Sequence, residues 1–144
     1  MPEKNDNRTV GGRFEQELAQ KLSEAGFWAH VLQQNKAGQP ADIIASKGNY
    51  TTLIDAKVVS GNKGFPLYRV EDNQRTAMTL FEKRTGRSCW FAIKLPSEEI
   101  YMASSKHLFH MIDWGRKSLS EKTIREDFAP YDEWLTFAEV MGRT

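Results

Sequence analysis

The chain has 144 residues, 40% hydrophobic and 27% charged, the size and make-up of one globular domain that buries a core without staples. A net charge of +1 despite twenty basic residues excludes a large indiscriminate basic patch, so contact with nucleic acid has to come from local clustering. The single cysteine, Cys89, excludes an internal disulfide and a cysteine zinc cluster, and no apolar run reaches membrane-spanning length.

Residues 1 to 10 are polar and expected to be frayed, with no apolar stretch of a signal peptide, so a cytoplasmic location is expected. After Gly11 and Gly12 a helical pattern runs to about Ala25 and closes at Gly26. At about 100° per residue, Phe14, Leu18, Leu22 and Ala25 form one stripe. Glu15 falls inside that stripe, where a carboxylate either reaches the rim or serves a site. Phe27 to Leu32 is an apolar strand with a lone histidine, His30, of structural type, and the polar segment 33–39 follows.

The segment from Pro40 to Lys57 organises the rest. Two strand-like runs flank a turn at Gly48 and Asn49, a hairpin pattern. In the second run Leu53, Asp55 and Lys57 share one face, with Thr52, Ile54, Ala56 and Val58 on the other. If the first run is also a strand, it carries Asp42 to the same region. Two acids and a lysine among apolar residues cost desolvation energy unless a cation joins them, and a divalent metal meets that need.

A loop from Val58 to Pro66 offers Lys63 as a phosphate contact. A second helix reaches Thr85 and ends at Gly86, with a stripe of Val70, Ala77, Met78 and Phe81. Gln74 lies in the middle of that stripe, a polar side chain aimed at the core; backbone groups can satisfy it, or it serves a site. Ser88 to Lys94 is a strand covered on both faces, with Cys89 as a buried apolar residue. Glu99 to Ala103 is another strand, and Ser104 and Ser105 cap a helix to Trp114. His107, His110 and Asp113 at i, i+3 and i+6 are set aside as metal ligands, because they do not converge. Beyond Arg116 the chain is charged, anchored by Leu119, Ile124 and Phe128, and its last helical tail packs on the core or on a second subunit. The order is helix, three strands, helix, two strands, helix and an extension, an α/β arrangement with no domain linker.

Asp42, twelve further residues, then Asp55-Ala56-Lys57 resembles the PD-(D/E)xK signature of the restriction-endonuclease-like nucleases. Gly11-Gly12-Arg13-Phe14-Glu15 is similar to the first-helix glutamate element of the resolvase branch. Phe65-Pro66-Leu67 leading to Gln74 resembles RecU-type Holliday junction resolvases, with Asn73 where a histidine is common. The resemblance implies an αβββαβ core over about 11–112, a mixed central sheet flanked by helices, and a C-terminal extension over 113–144, all in one nuclease domain.

It also implies a Mg2+-dependent endodeoxyribonuclease, with Mn2+ as an alternative metal. Asp42, Asp55 and the Ala56 carbonyl would bind the metal, Glu15 directly or through water. Lys57 would orient the attacking water or stabilise negative charge, and Gln74 would position Lys57 or the water. The substrate implied is a branched or four-way DNA junction cut by a homodimer. The RecU-type insertion between the first two strands is replaced here by the short segment 33–39, which weakens the junction assignment relative to the chemistry. Arg13, Lys36, Lys63, Arg69 and Arg75 are the expected DNA contacts. The alternatives are another phage or restriction-type nuclease of the superfamily, or a non-catalytic DNA-binding protein that retains the fold; intact acids and lysine speak against the latter.

Overall fold

The computed structural model describes residues 6–33, 41–61 and 63–143. Helix α1 spans Asp6–Glu24, so the glycine pair lies inside the helix rather than ahead of it, and the expected frayed stretch does not extend to residue 10. Its stripe of Phe14, Leu18 and Leu22 is fully buried, as the 3.6-residue period predicts. The chain leaves α1 at Gly26, φ +94°, with the Phe27 N–H donating back to the Leu22 carbonyl at 3.0 Å.

Strands β1 (Trp28–Val31), β2 (Ile43–Lys47) and β3 (Tyr50–Val58) form an antiparallel meander. The turn between β2 and β3 is Gly48 and Asn49, with Gly48 at φ +60°, a left-handed value that glycine adopts without strain. After β3 the chain forms the short strand β4 (Phe65–Pro66), one 3-10 turn (Leu67–Arg69) and helix α2 (Asp72–Thr85), which ends at Gly86, φ +72°. This crossover returns the chain as β5 (Trp90–Lys94), parallel to β3, and β6 (Ile100–Ser104) pairs antiparallel with β5. Helix α3 (Ser105–Asp113) starts where the Ser104 side chain accepts from the His107 N–H.

The remaining chain is woven into the same core. Strand β7 (Ser118–Leu119) pairs with β4, and helix α4 (Glu121–Asp127) follows. Strand β8 (Ala129–Pro130) pairs with β6 and completes the main sheet in the order β1-β2-β3-β5-β6-β8; helix α5 (Tyr131–Arg143) comes last. The result is a mixed sheet between helices, the expected fold class. One face packs under α2 and α3 with Leu53, Phe65, Met78, Phe91, Leu108 and Ile124. The other packs under α1 and α5 with Phe14, Leu18, Ile43, Ile54 and Trp134. Leu53 and Ile54 thus serve opposite cores, as strand alternation requires.

Helix α5 packs on its own sheet, with Trp134 only 1% exposed. Its last turn meets the hairpin, where the Asn49 N–H donates to the Gly142 carbonyl at 3.0 Å. A Cβ at Gly142 would lie 2.6 Å from the Lys47 carbonyl oxygen, so the approach depends on glycine. No break separates an extension at residue 113 from a core before it. Cys89 is wholly buried, and burial pushes its thiol up to about 12. Among the described residues no helix is long and apolar enough to cross a membrane.

Candidate active site

Asp55 lies on β3, on the face that α2 covers, and is 2% exposed. The first turn of α2 leaves backbone N–H groups without helical partners, and Gln74 at its third position turns back to accept from the Glu71 N–H at 3.4 Å. The other end of that amide donates through Nε2 to Asp55 Oδ1 at 2.7 Å. One side chain therefore closes the helix and holds the buried acid. That explains a polar residue in the apolar stripe.

Lys57, two residues further along the strand, shares the face of Asp55. Its Nζ lies 3.0 Å from Asp55 Oδ2 and donates to the Arg69 carbonyl at 3.2 Å. Arg69 in turn donates through Nη1 to the Val58 carbonyl at 2.8 Å and sets its guanidinium over the Phe65 ring. The 3-10 turn thus clasps the end of β3 and fixes the ammonium. Asp55 Oδ2 is buried, and no donor meets it with hydrogen-bond geometry; the nearby ammonium satisfies it by charge alone.

Asp42 stands just ahead of β2 and extends the ladder, its N–H donating to the Ile54 carbonyl at 3.1 Å. Its Oδ2 accepts from the Ala56 N–H at 2.8 Å. Glu15, half-buried on α1, lies close to the Asp42 carboxyl, and Asp42 to that of Asp55. Buried carboxyls this close to one another resist being charged together, and the electrostatics agree. Burial, then the charge of Asp42, lifts Asp55 to about 7 against the pull of Lys57. Burial raises Asp42, with Glu15 adding to it and the Ala56 N–H opposing. Burial also raises Glu15, opposed by its bond to Asp42.

The structure therefore gathers Glu15, Asp42, Asp55, Ala56, Lys57 and Gln74 in one place. Three acids with raised pKa values and a buried carboxylate oxygen lacking a donor offer hard oxygen atoms, the donor type that could hold a divalent cation. Among the described residues, however, no three His, Cys, Asp or Glu side chains stand arranged to hold an ion as they are. Burial and mutual repulsion favour the protonated carboxyls, and Asp55 is bonded to Gln74, so ion binding requires those protons to leave.

The expected DNA contacts divide. Arg13 and Lys63 are exposed, and Lys36 lies outside the described residues. Arg69 is committed to β3, and Arg75 is held by both oxygens of Asp113, at 2.8 and 2.6 Å, with its guanidinium over Phe109. His107 packs its ring edge-on to Phe128, and His110 stacks on Trp114. Sequence reasoning missed the Arg69 carbonyl as the brace of Lys57, since a single 3-10 turn has no periodic signature. It also missed the ion pair by which Lys94 on β5 reaches Glu17 on α1 at 2.7 Å.

A family model described as archaeal Holliday junction resolvase (Hjc) matches residues 6–125. Among solved structures, Hjc of Archaeoglobus fulgidus, a Holliday junction resolvase from an archaeal hyperthermophile, is similar with a TM-score of 0.65 and 25% identity, covering 88% of this chain and 96% of that one. Comparison with curated protein sequences finds no match. The matched span runs from α1 into α4 and so carries every element that brings a side chain to the acidic cluster. With the cluster, the crossover and the sheet order all inside it, the chain belongs to the archaeal Holliday junction resolvase family.

Proposed function

We propose that this junction-resolving endonuclease cuts DNA by metal-assisted hydrolysis, with Glu15, Asp42, Asp55 and the Ala56 carbonyl as metal ligands. The observation that carries this is Asp55: a carboxylate 2% exposed, held at one oxygen by Gln74 and facing Lys57 at the other. A structural carboxylate gains little from such a place; one that must meet a cation does. Mg2+, or Mn2+ in its stead, would supply charge neutralisation at the scissile phosphate and a water made acidic enough to attack.

The chain's own groups do the rest. Gln74 keeps the Asp55 carboxylate in one orientation, and the Ala56 N–H does the same for Asp42. Lys57 donates one hydrogen to the Arg69 carbonyl and faces Asp55 as an ion pair, which leaves donor capacity for the attacking water or for a phosphate oxygen as its charge grows. Arg13 and Lys63, both exposed, meet the DNA backbone, whereas Arg75 contributes only by leaving Asp113. Paired cuts across a four-way junction need two sites, so the active form is a homodimer.

The test is cleavage of matched four-way junction, flap and linear duplex by purified protein, with Mg2+ or with chelator. The junction should be cut preferentially and only with metal, while Asp55→Ala and Lys57→Ala remain folded and inactive. Full activity in both variants refutes the assignment, and equal cutting of linear duplex refutes junction selectivity.

A further inference from the structure

Two large aromatic side chains stand almost wholly in solvent, Tyr68 at 83% and Trp114 at 84% exposure. Leaving such rings in water forgoes the burial energy that the rest of the fold collects. Each adjoins in the chain a residue linked to the site. Tyr68 sits in the 3-10 turn, one residue before the carbonyl that accepts from Lys57. Trp114 ends α3 directly after Asp113, the carboxylate that grips Arg75 next to Gln74. The pairing of β4 with β7 runs on through the Leu67 N–H, 2.9 Å from the Lys117 carbonyl, and so carries Tyr68 alongside the turn at Gly115 and Arg116.

The segment that carries Trp114 is basic, and Tyr68 is followed by Arg69 with Glu71 and Asp72 beyond it. From residue 105 to 119 the chain carries Lys106, His107, His110, Arg116 and Lys117 against one acid, Asp113, whose two oxygens are held by Arg75. Trp114 borders a cavity of about 330 Å³ with His107, His110, Met111 and Arg116. The His110 ring props the indole from one side, with centroids 6.3 Å apart and planes 25° apart. Two copies meeting here by twofold symmetry would press this basic surface against itself. A polyanion with free aromatic faces suits it instead, which is the chemistry of unstacked nucleotides.

We propose that Tyr68 and Trp114 form a stacking platform for nucleotides unstacked at the branch point, so that preference for branched over linear DNA arises in part on this surface. The proposal rests on the junction-cutting function above. In linear duplex every base is stacked on its neighbours, so the platform engages only where the helix is interrupted.

A four-way junction carrying 2-aminopurine beside the branch point, and a linear duplex of the same arm sequence, are titrated in chelator with wild-type protein, Tyr68→Ala, Trp114→Ala and Trp114→Phe. Both rings are exposed, so the variants should keep the wild-type circular dichroism spectrum. Each alanine variant should lose about tenfold in junction affinity and less than about twofold on duplex. The 2-aminopurine emission change on binding should shrink with it, and Trp114→Phe should recover most of both. Unchanged junction affinity in the alanine variants, with wild-type protein still cutting junctions, overturns the platform alone; so does equal loss on junction and duplex. A change of association state on sedimentation of Trp114→Ala identifies the patch as a protein interface and overturns it too. Wild-type protein that neither binds nor cuts the junction overturns the function and the platform together.

Discussion

Replacing Asp55 by asparagine removes a charge and keeps a shape. The asparagine carbonyl still accepts from Gln74, and no cavity opens. Burial lifts this carboxyl from its ordinary 3.8 to about 7, so between those values the folded protein holds a proton that the unfolded chain has lost. Stability contributed by the protonated group therefore falls as pH rises through that window and is gone above it. The gap of about three pH units corresponds to roughly 4 kcal/mol, and relaxation around the charge brings the expected gain for the variant to about 2–4 kcal/mol. In a domain of this size that is roughly 6–12 °C in Tm. Thermal melts followed by circular dichroism in chelator should show Asp55→Asn well above wild type at about pH 8, with the two converging towards about pH 4. Added Mg2+ should raise the wild-type Tm and leave the variant unmoved, and the variant should not cut DNA. A variant no more stable than wild type at the higher pH, or an equal Mg2+ response in both, would show that the buried charge is not the strained element.

Two further substitutions probe the supports of the site. Gln74→Leu takes a donor from Asp55 and an acceptor from the Glu71 N–H, so the carboxylate becomes harder to form. Single-turnover cleavage should fall by about tenfold or more, with its pH profile displaced upwards; an unmoved profile would assign Gln74 to the helix cap alone. Gly142→Ala sets a Cβ 2.6 Å from the Lys47 carbonyl and should cost about 1–3 kcal/mol in urea unfolding, whereas wild-type stability would mean that α5 gives way freely.

The hairpin and its acids were legible because two-residue alternation and a Gly-Asn turn are local signals, and Gln74 stood out as an amide inside an apolar stripe. Other features depended on partners far along the chain. The glycine pair in α1 read as a boundary, yet the helix runs through it; a propensity cost of about 1 kcal/mol per glycine does not end a helix whose later turns are buried. The two-residue strands β4, β7 and β8 are too short to show a period, so the role of the C-terminal segment in the sheet could not be read. Arg69 and Arg75, expected as DNA contacts, have partners far along the chain that no local pattern shows, a carbonyl on β3 and the carboxylate of Asp113. That Glu15 would meet Asp42 followed from the family likeness rather than from spacing, since the two lie on separate elements.

The contact between Gly142 and the hairpin turn has a bearing on how the molecule is made. During synthesis the strands bearing the acids leave the ribosome long before α5, so the part of the sheet that α5 covers stays wet until the end. Such an intermediate leaves Trp90, whose ring meets Trp134 and Phe137, open to whatever chaperone is at hand until α5 arrives.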